Sequence, residues 1–521
     1  MEGRICHDMR IIVKQNPILV QRAIFRRSAA ILVPLVLIVG LATDSLEAQI
    51  ASPSRLARGN VALSELDLTL LDQDWSTAKR DRSVTGKPLN IDGETFAHGI
   101  GTHSNSLLIL WLDRGARRFQ AKFGVDDGAG SSASVRFSVH GDGRELWNSG
   151  IRRKGQTPLG VNLDVSYVRY LSLRVEDAGD GIGGDHADWI EPTLTGVTRP
   201  PVVVSRLPGE EGRILPGRQW VDTEGNLIQA HGGGILRYNS LYYWYGEDRS
   251  NGYVVIGVSG YESDNLVRWK PLGVVLPRSA YDQKHGAQNI NERPKVIFNP
   301  KTRKFVMWFH YDKSGYGDSK GGVAVADRPE GPFRYLGQHR PVEKSTFRDM
   351  NLFVDDDGEA YVFYSGEDNG TMHIVRLNDE WTAEEKPMVE GKTWARAFVG
   401  KWREAPAPFK HGGIYYVITS GCTGWAPNAA DLAVAKHPLG PWKMLGNPFS
   451  GKRAGRTFDS QSTFVFPQPG APPGSFIYMG DRWKSEALAD SRYIWLPFKM
   501  TGARTRIEWK DYGTFKGMGK K

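Results

Sequence analysis

Residues 226–248 read NLIQAHGGGILRYNSLYYWYGED: a His and three glycines run into an apolar stretch that ends in two tyrosines, a Trp and a Glu. The second half of this stretch, SLYYWYGED, recurs in altered form as KFVMWFHYD (304–312), EAYVFYSGE (359–367), GIYYVITSG (413–421) and SFIYMGDRW (475–483). Each copy is an aromatic and β-branched run closed by a polar or Gly turn, which is the pattern of a strand. Between the copies stand RWKPLG (268–273), EGPFRYLG (330–337) and LGPWKMLG (439–446), near-repeats of one turn-plus-strand unit. Five such units in succession match the radial repetition of a propeller better than a double sandwich. The expected fold is therefore all-β, with a β-propeller of about five blades over some 300 residues after the first domain.

At 521 residues the chain exceeds one ordinary core, and two or three domains are expected. Residues 199–210, RPPVVVSRLPGE, have linker composition, and the linker is set at 198–212. Before it, RRFQAKFGV, SVRFSVHG and YLSLRVEDAG alternate with period two between turns, which predicts a β-sandwich (jelly roll) over 52–197. Residues 1–48 differ: Arg22, Arg26 and Arg27 precede the uncharged apolar run Ala29–Ala42, which is too short for a membrane span and fits a signal peptide. The mature protein is thus expected to be secreted or periplasmic, monomeric, and free of membrane contact after cleavage. Cys6 lies in that segment, which leaves Cys422 and no internal disulfide. The net charge of +9 comes from scattered basic residues with no stripe of interleaved aromatics, which disfavours nucleic acid.

The N-terminal segments FAHGIGTHSNSLLILWL, FGVDDG, SVRFSVHGDGRELWNSG and VEDAGDGIGGDHADWIEP resemble, in order and spacing, the NPCBM family of carbohydrate-binding modules. The resemblance implies a jelly roll that binds galactose-type sugars. Trp147 and Trp189 offer flat faces to a pyranose, and His98, His103 and Asp188 offer hydrogen-bonding groups; all five serve equally well as packing or loop residues. Asp177, Asp180, Asp185 and Asp188 sit among glycines, where a structural calcium and ordinary polar turn chemistry are both open readings, Asp180 and Asp185 being the strongest ion candidates.

The glycines after His231 suggest three chemistries that the sequence excludes. An HGGG oxyanion loop needs a nucleophile elbow, but after Ser319 comes KGGVAVADRPEGPF, a strand and turn with no helix. A phosphate loop fails because no Gly-Lys-Ser/Thr opens a helix. His231 has no ligand partner at hairpin spacing, so a structural His is expected. What remains is acids just before strands: Glu292 in ERPKVIFNP, Asp349 in FRDMNLFVDDDGEAYVFY, and Glu404 in REAPAPFKHGGIYYVITSG. A charge at a strand start costs desolvation unless it is used.

These segments resemble glycoside hydrolase family 43 over about residues 213–516, which implies a five-bladed β-propeller there. The resemblance implies that Glu404 is the general acid and that Asp349 tunes its pKa and orients the sugar. The family's water-activating Asp, about ten residues before the paired tyrosines, falls in AHGGG ahead of Tyr242 and Tyr243, where no acid stands. HGGGI, YYWYGE, ERPKV and TGWAPN are shared with the exo-β-1,3-galactanase-like branch. For that branch the resemblance places Gln461 of TFDSQSTFVFP at the water, orienting it or acting as a relayed imidic acid. Glu292 and Glu247 are the fallback bases, and Tyr316 and Thr423 match positions that contact sugar. The implied function is inverting, exo-acting hydrolysis of β-1,3-galactan with no cofactor. An arabinofuranosidase, a galactofuranosidase and a carbohydrate-binding pseudoenzyme remain as alternatives.

Overall fold

The structure, a computed structural model, describes residues 59–281, 289–502 and 504–513; the expected signal segment 1–48 and Cys6 lie outside the described residues. The chain is all-β, and helix among the described residues is confined to 3₁₀ turns of three to six residues.

Residues 59–203 form two large antiparallel sheets and a small hairpin, Leu89–Ile91 with Glu94–Phe96. One is ordered Leu159–Asp164, Arg118–Val125, His186–Val197, Gly99–His103, Lys79–Arg80, with Gly59–Ala62 also paired to His186–Val197. The other is ordered Val202–Val203, Ser106–Trp111, Tyr170–Asp177, Ser134–Gly141, Arg144–Arg153. Alternate residues of each sheet, such as Phe119, Phe123 and Trp189 of the first and Leu110, Phe137 and Leu173 of the second, meet in one core. Val202–Val203 corrects the expected linker: it pairs with Trp111 and Leu110 as an edge strand, so the linker begins after it. Its Pro-rich approach has linker composition, but edge strands tolerate neighbouring proline because one side needs no ladder bonds.

Residues 231–505 form five four-stranded antiparallel meanders. Sheet I comprises His231–Tyr238, Leu241–Glu247, Gly257–Ser263 and Lys270–Pro277. Sheet II comprises Asn289–Asn299, Lys304–Lys313, Lys320–Ala326 and Arg334–His339. Sheet III comprises Arg348–Val354, Ala360–Gly366, Thr371–Arg376 and Trp394–Ala397. Sheet IV comprises Arg403–His411, Ile414–Gly421, Asp431–Ala435 and Lys443–Gly446, and sheet V Gln461–Pro467, Ser475–Arg482, Arg492–Thr501 and Arg504–Thr505. The five aromatic runs are the second strands, buried on both faces, and the three turn-plus-strand repeats lead into the fourth strands of sheets I, II and IV.

Successive sheets share apolar cores, I with II, II with III, III with IV and IV with V. Ile235 and Trp244 of sheet I also cluster with Ile477 and Trp495 of sheet V. Trp244 lies edge-on to Trp269 and Tyr493 at 5.3 and 4.7 Å between ring centroids. Such pairs add about 0.5–1.5 kcal/mol each beyond the burial of their area. A backbone bridge between Ile214 and Gly513 ties the two ends of this region together.

Candidate active site

The first strand of sheets I to IV opens with the same irregularity. His231, Glu292, Arg348 and Glu404 pair with Glu247, His310, Ser365 and Ser420, and pairing then resumes only at Gly234, Lys295, Asn351 and Ala407. The residue after each start is left-handed: Gly232 (φ 57°), Arg293 (54°), Asp349 (35°) and Ala405 (53°). These are β-bulges, which re-aim the side chains around them. Left-handed non-glycines cost about 1–3 kcal/mol each and gather at functional sites. In sheet V, Gln461 takes the equivalent start and pairs with Asp481.

Arg293 joins four of the five sheets. Its backbone N–H donates to Glu247 Oε1 at 2.8 Å, Nη2 to Gln461 Oε1 at 2.5 Å, and Nη1 to the Ser462 carbonyl at 3.0 Å. Its Nε lies 3.0 Å from Asp349 Oδ1. Sequence analysis missed Arg293. The ERPKV motif singled out its neighbour Glu292, and only the bulge turns the Arg side chain toward the other sheets.

Glu404 Oε1 accepts from Gln461 Nε2 at 2.9 Å and Oε2 from Asn369 Nδ2 at 3.1 Å. Burial, reinforced by the negative charge of Asp349 and opposed by Arg293, pushes its carboxyl up to about 8. The group therefore holds a proton at neutral pH, as a general acid must. The Cys422 thiol, which donates to the Trp402 carbonyl at 3.3 Å, also stabilises the ionised form of Glu404.

The Gln461 amide has a fixed orientation. Its oxygen accepts from two groups that can only donate, Arg293 Nη2 and Trp483 Nε1 (3.0 Å), while its nitrogen donates to Glu404 and to Ser420 Oγ (3.1 Å). An imidic acid would turn an O–H toward those two donors, so the amide form is the one that fits.

Glu247 lies against the first of the glycines that follow His231. Gly232 stands about ten residues before the paired tyrosines, and a Cβ on it would lie 2.3 Å from Glu247 Oε1. The left-handed backbone alone does not demand glycine, since Arg293, Asp349 and Ala405 adopt it at the equivalent bulges. The Glu247 carboxylate does demand it. Glu247 is buried and clamped by Arg249, whose Nε donates to Oε2 at 2.8 Å; burial raises its pKa despite that cation. Gly232→Ala is expected to cost about 1–3 kcal/mol in urea unfolding, the left-handed penalty plus the overlap. Stability equal to wild type would show that the carboxylate moves aside freely.

Glu292 sits in a different field. Tyr316 OH donates to its Oε1 at 2.8 Å, Arg249 Nη2 lies 3.3 Å away, and His310 Nδ1 lies 3.2 Å from Oε2. Burial opposes ionisation, but the bond and charge of His310 together with Arg249 outweigh it and hold Glu292 at about 2. His310 is buried between Glu292 and Asp312 (3.1 Å); burial disfavours its charge, yet the two carboxylates push it up to about 9. Glu292, His310 and Asp349 also form the one cluster among the described residues with metal-ligand spacing. An imidazolium has no free lone pair, so a cation there would first have to displace its proton.

Asp481, also missed from sequence, accepts from the Gly232 N–H, and burial pushes its carboxyl up to about 7. Lys295 Nζ donates to the Gly232 and Arg293 carbonyls at 2.6 and 3.3 Å, bracing two bulges. His231 is fully buried and stacks on Tyr493 at 5.0 Å between centroids. Thr423 is exposed; its hydroxyl donates to the Ala426 carbonyl and accepts from Asn428 Nδ2 at 2.7 Å, which shapes the loop carrying Trp425.

The expected sugar residues of the N-terminal domain do not form one surface. Trp189, 2% exposed, packs edge-on to Phe137 in the core, and Asp188 and His103 are buried as well. Trp147 packs on Phe123 at 4.9 Å between centroids, and His98 is exposed, with Nδ1 3.6 Å from Asp81. The correction follows from strand geometry: position along His186–Val197 turns Trp189 inward, which composition cannot reveal. Asp185 accepts from Ser104 Oγ (2.9 Å) and the Ser134 N–H (3.1 Å), and Asp180 from Ser134 Oγ (2.8 Å). These are protein donors to the two residues for which the sequence left a structural calcium and polar turn chemistry both open.

Comparison with known proteins follows this geometry. The family model described as glycosyl hydrolases family 43 matches residues 231–462, from the start of sheet I to the start of sheet V. A solved family 43 β-1,3-galactosidase with galactodeoxynojirimycin is 40% identical, aligned over 58% of this chain and 100% of that one, with a TM-score of 0.54. The chain belongs to glycoside hydrolase family 43. A Phanerochaete chrysosporium exo-β-1,3-galactanase solved with β-1,3-galactotriose is 38% identical over 58% of this family 43 chain and 67% of its own, with a TM-score of 0.53. The NPCBM/NEW2 domain model matches residues 59–195 of the enzyme. Among curated relatives, the alpha-1,3-galactosidase B of Akkermansia muciniphila is 30% identical over 200 residues, 35% of this chain but only 24% of that protein's length. This family 43 protein is a glycoside hydrolase with a carbohydrate-binding-type domain ahead of its catalytic region.

Proposed function

We propose that the enzyme is exported as a monomer and releases galactose, with inversion, from the non-reducing ends of β-1,3-linked galactan, on a five-bladed propeller closed between sheets V and I. The observation that carries the reading is the direct bonding of Glu404, Gln461, Arg293 and Asp349 from four different strand starts, with the proton resting on Glu404. Support for the sugar comes from the galactodeoxynojirimycin and β-1,3-galactotriose bound by two similar enzymes.

In this mechanism Glu404 protonates the departing glycosidic oxygen, and Asp349 keeps that proton in place until transfer. A water attacks from the opposite face, as inversion requires. Gln461 takes no proton from that water, because both lone pairs of its oxygen face donors; its two N–H donors are given to Glu404 and Ser420, so its part is to position Glu404. The proton goes to Glu247, whose carboxylate lies where the family's Asp would stand and whose burial makes it a stronger base than Glu292. Glu292 and Tyr316 grip sugar hydroxyls.

The test is incubation with β-1,3-galactan, p-nitrophenyl arabinofuranoside and p-nitrophenyl galactofuranoside. Galactose from the first supports the reading; activity confined to a furanoside transfers the enzyme to that branch. The roles are separated by variants. Gln461→Ala is expected to lower kcat about 10²-fold through loss of the amide that positions Glu404. Glu247→Ala is expected to be rescued by azide with formation of an α-galactosyl azide, since azide needs no base. Absence of rescue, with Glu292→Ala rescued instead, would reassign the base.

A further inference from the structure

Residues 72–75, DQDW, belong to the N-terminal domain. Asp72 and Leu107 exchange backbone bonds at 3.0 and 2.8 Å, Thr102 Oγ1 donates to Gln73 Oε1 at 2.7 Å, and Trp75 stacks on His186 at 5.6 Å between centroids. Three of these residues also reach into the catalytic region, chiefly to the segment 482–492 that joins the second and third strands of sheet V. Asp72 Oδ1 accepts from Arg492 Nε at 2.9 Å, and Asp72 Oδ2 lies 3.0 Å from Arg218 Nε. Asp74 Oδ1 accepts from Arg482 Nη1 at 3.3 Å. The Gln73 carbonyl accepts from Lys484 Nζ, which also donates to Asp490 Oδ2 at 2.7 Å.

Lys484 and Arg492 are 3% and 2% exposed, so the ions of this contact are out of water and held by one another. Trp483 lies between two of the tied residues. Its Nε1–H donates to Gln461 Oε1 at 3.0 Å and its ring lies 5.0 Å from Trp425. A continuous path of bonds thus runs from Asp74 and Gln73 through Arg482 and Lys484 to Trp483, and from Trp483 to Gln461 and Glu404.

We infer that the N-terminal domain is a positioning element of the active site: its Asp72–Trp75 segment fixes the strand-end segment that holds Trp483 against Gln461. A tethered binding module would need only a linker, and charged residues at a free surface would stay in water. The inference rests on the role given to Gln461 above.

The test uses the full chain. Asp74→Asn is expected to lower kcat on β-1,3-galactobiose by about 10- to 100-fold, the cost of misplacing a positioned group, with a smaller change in KM. Loosening the amide donor on Glu404 disfavours its ionised form, so the basic limb of the kcat/KM profile moves to higher pH. In a double-mutant cycle, Trp483→Phe is expected to cost less in the Asp74→Asn background than in wild type. Should Asp74→Asn not fold, Asn105→Ala carries the same test: it removes the amide that donates to Asp74 Oδ2 at 3.0 Å, together with the acceptor of the Asp177 N–H within the N-terminal domain. A wild-type kcat and basic limb, or additive effects of residues 74 and 483, would overturn the inference. Hydrogen exchange of amides 483–491 gives a readout independent of turnover. Faster exchange in Asp74→Asn with unchanged kcat rejects the positioning role. Gln461→Ala at the wild-type rate rejects the proposed role of Gln461, while exchange still reports on the contact between the domains.

Discussion

Glu404→Gln is expected to lower kcat on a β-1,3-galactoside by about 10²–10⁴-fold, the usual contribution of general acid catalysis. The amide keeps the shape of the carboxyl and loses its transferable proton. The loss should depend on the leaving group. A dinitrophenyl galactoside departs without protonation and is expected to retain most of its rate, whereas the sugar leaving group is not. Equal losses on both substrates would remove Glu404 from the acid role; turnover absent from wild type while sugar binding survives would instead favour a carbohydrate-binding pseudoenzyme. The pH profile supplies a second check. Glu404 works in its protonated form and its carboxyl is held at about 8, so kcat/KM is expected to be present below that pH and to fall as pH rises through it. In Glu404→Gln the residual rate on the dinitrophenyl substrate should lack that basic limb.

Arg293→Met should produce the largest loss of stability. It removes the cation that faces Asp349 at 3.0 Å and the donors to Gln461 and the Ser462 carbonyl, within a buried site. Removing one partner of a buried ion pair costs about 3–5 kcal/mol, because the other charge stays behind. Arg293 also lowers the pKa of Glu404, so its loss should move the basic limb of kcat/KM upward. Arg293→Lys restores the charge without the planar fork and is expected to recover stability more than rate. Urea unfolding and the pH profile measure both effects. A variant with wild-type stability and an unmoved limb would show that Arg293 does not join the sheets as described.

Much of this was legible in the sequence. Continuous aromatic runs closed by polar or Gly turns predicted the second strands, because burial on both faces leaves few residue choices. Glu292, Asp349 and Glu404 stood out because charge before an apolar strand is costly to desolvate without a use. The stretch AHGGG was informative through the acid it lacks. Its explanation lay outside the stretch's own composition, since the Glu247 carboxylate occupies the space only in three dimensions.

What only the tertiary structure decided were relations between distant residues. Arg293 and Gln461 meet across 168 positions, and Asp72 and Arg492 across 420; no local pattern encodes either contact. The raised pKa of Glu247 and the proton on Glu404 are sums of burial and charges contributed by several sheets, and the imidazolium of His310 comes from the pairing of two strands of sheet II. The inward turn of Trp189 depends on which face of a paired strand it occupies. Sequence determined the elements and the residue types available at their ends, because backbone propensity and hydrophobic patterning are local. The tertiary structure decided which of those ends meet, and therefore which group carries a proton, because electrostatic energies depend on distance and solvent exclusion.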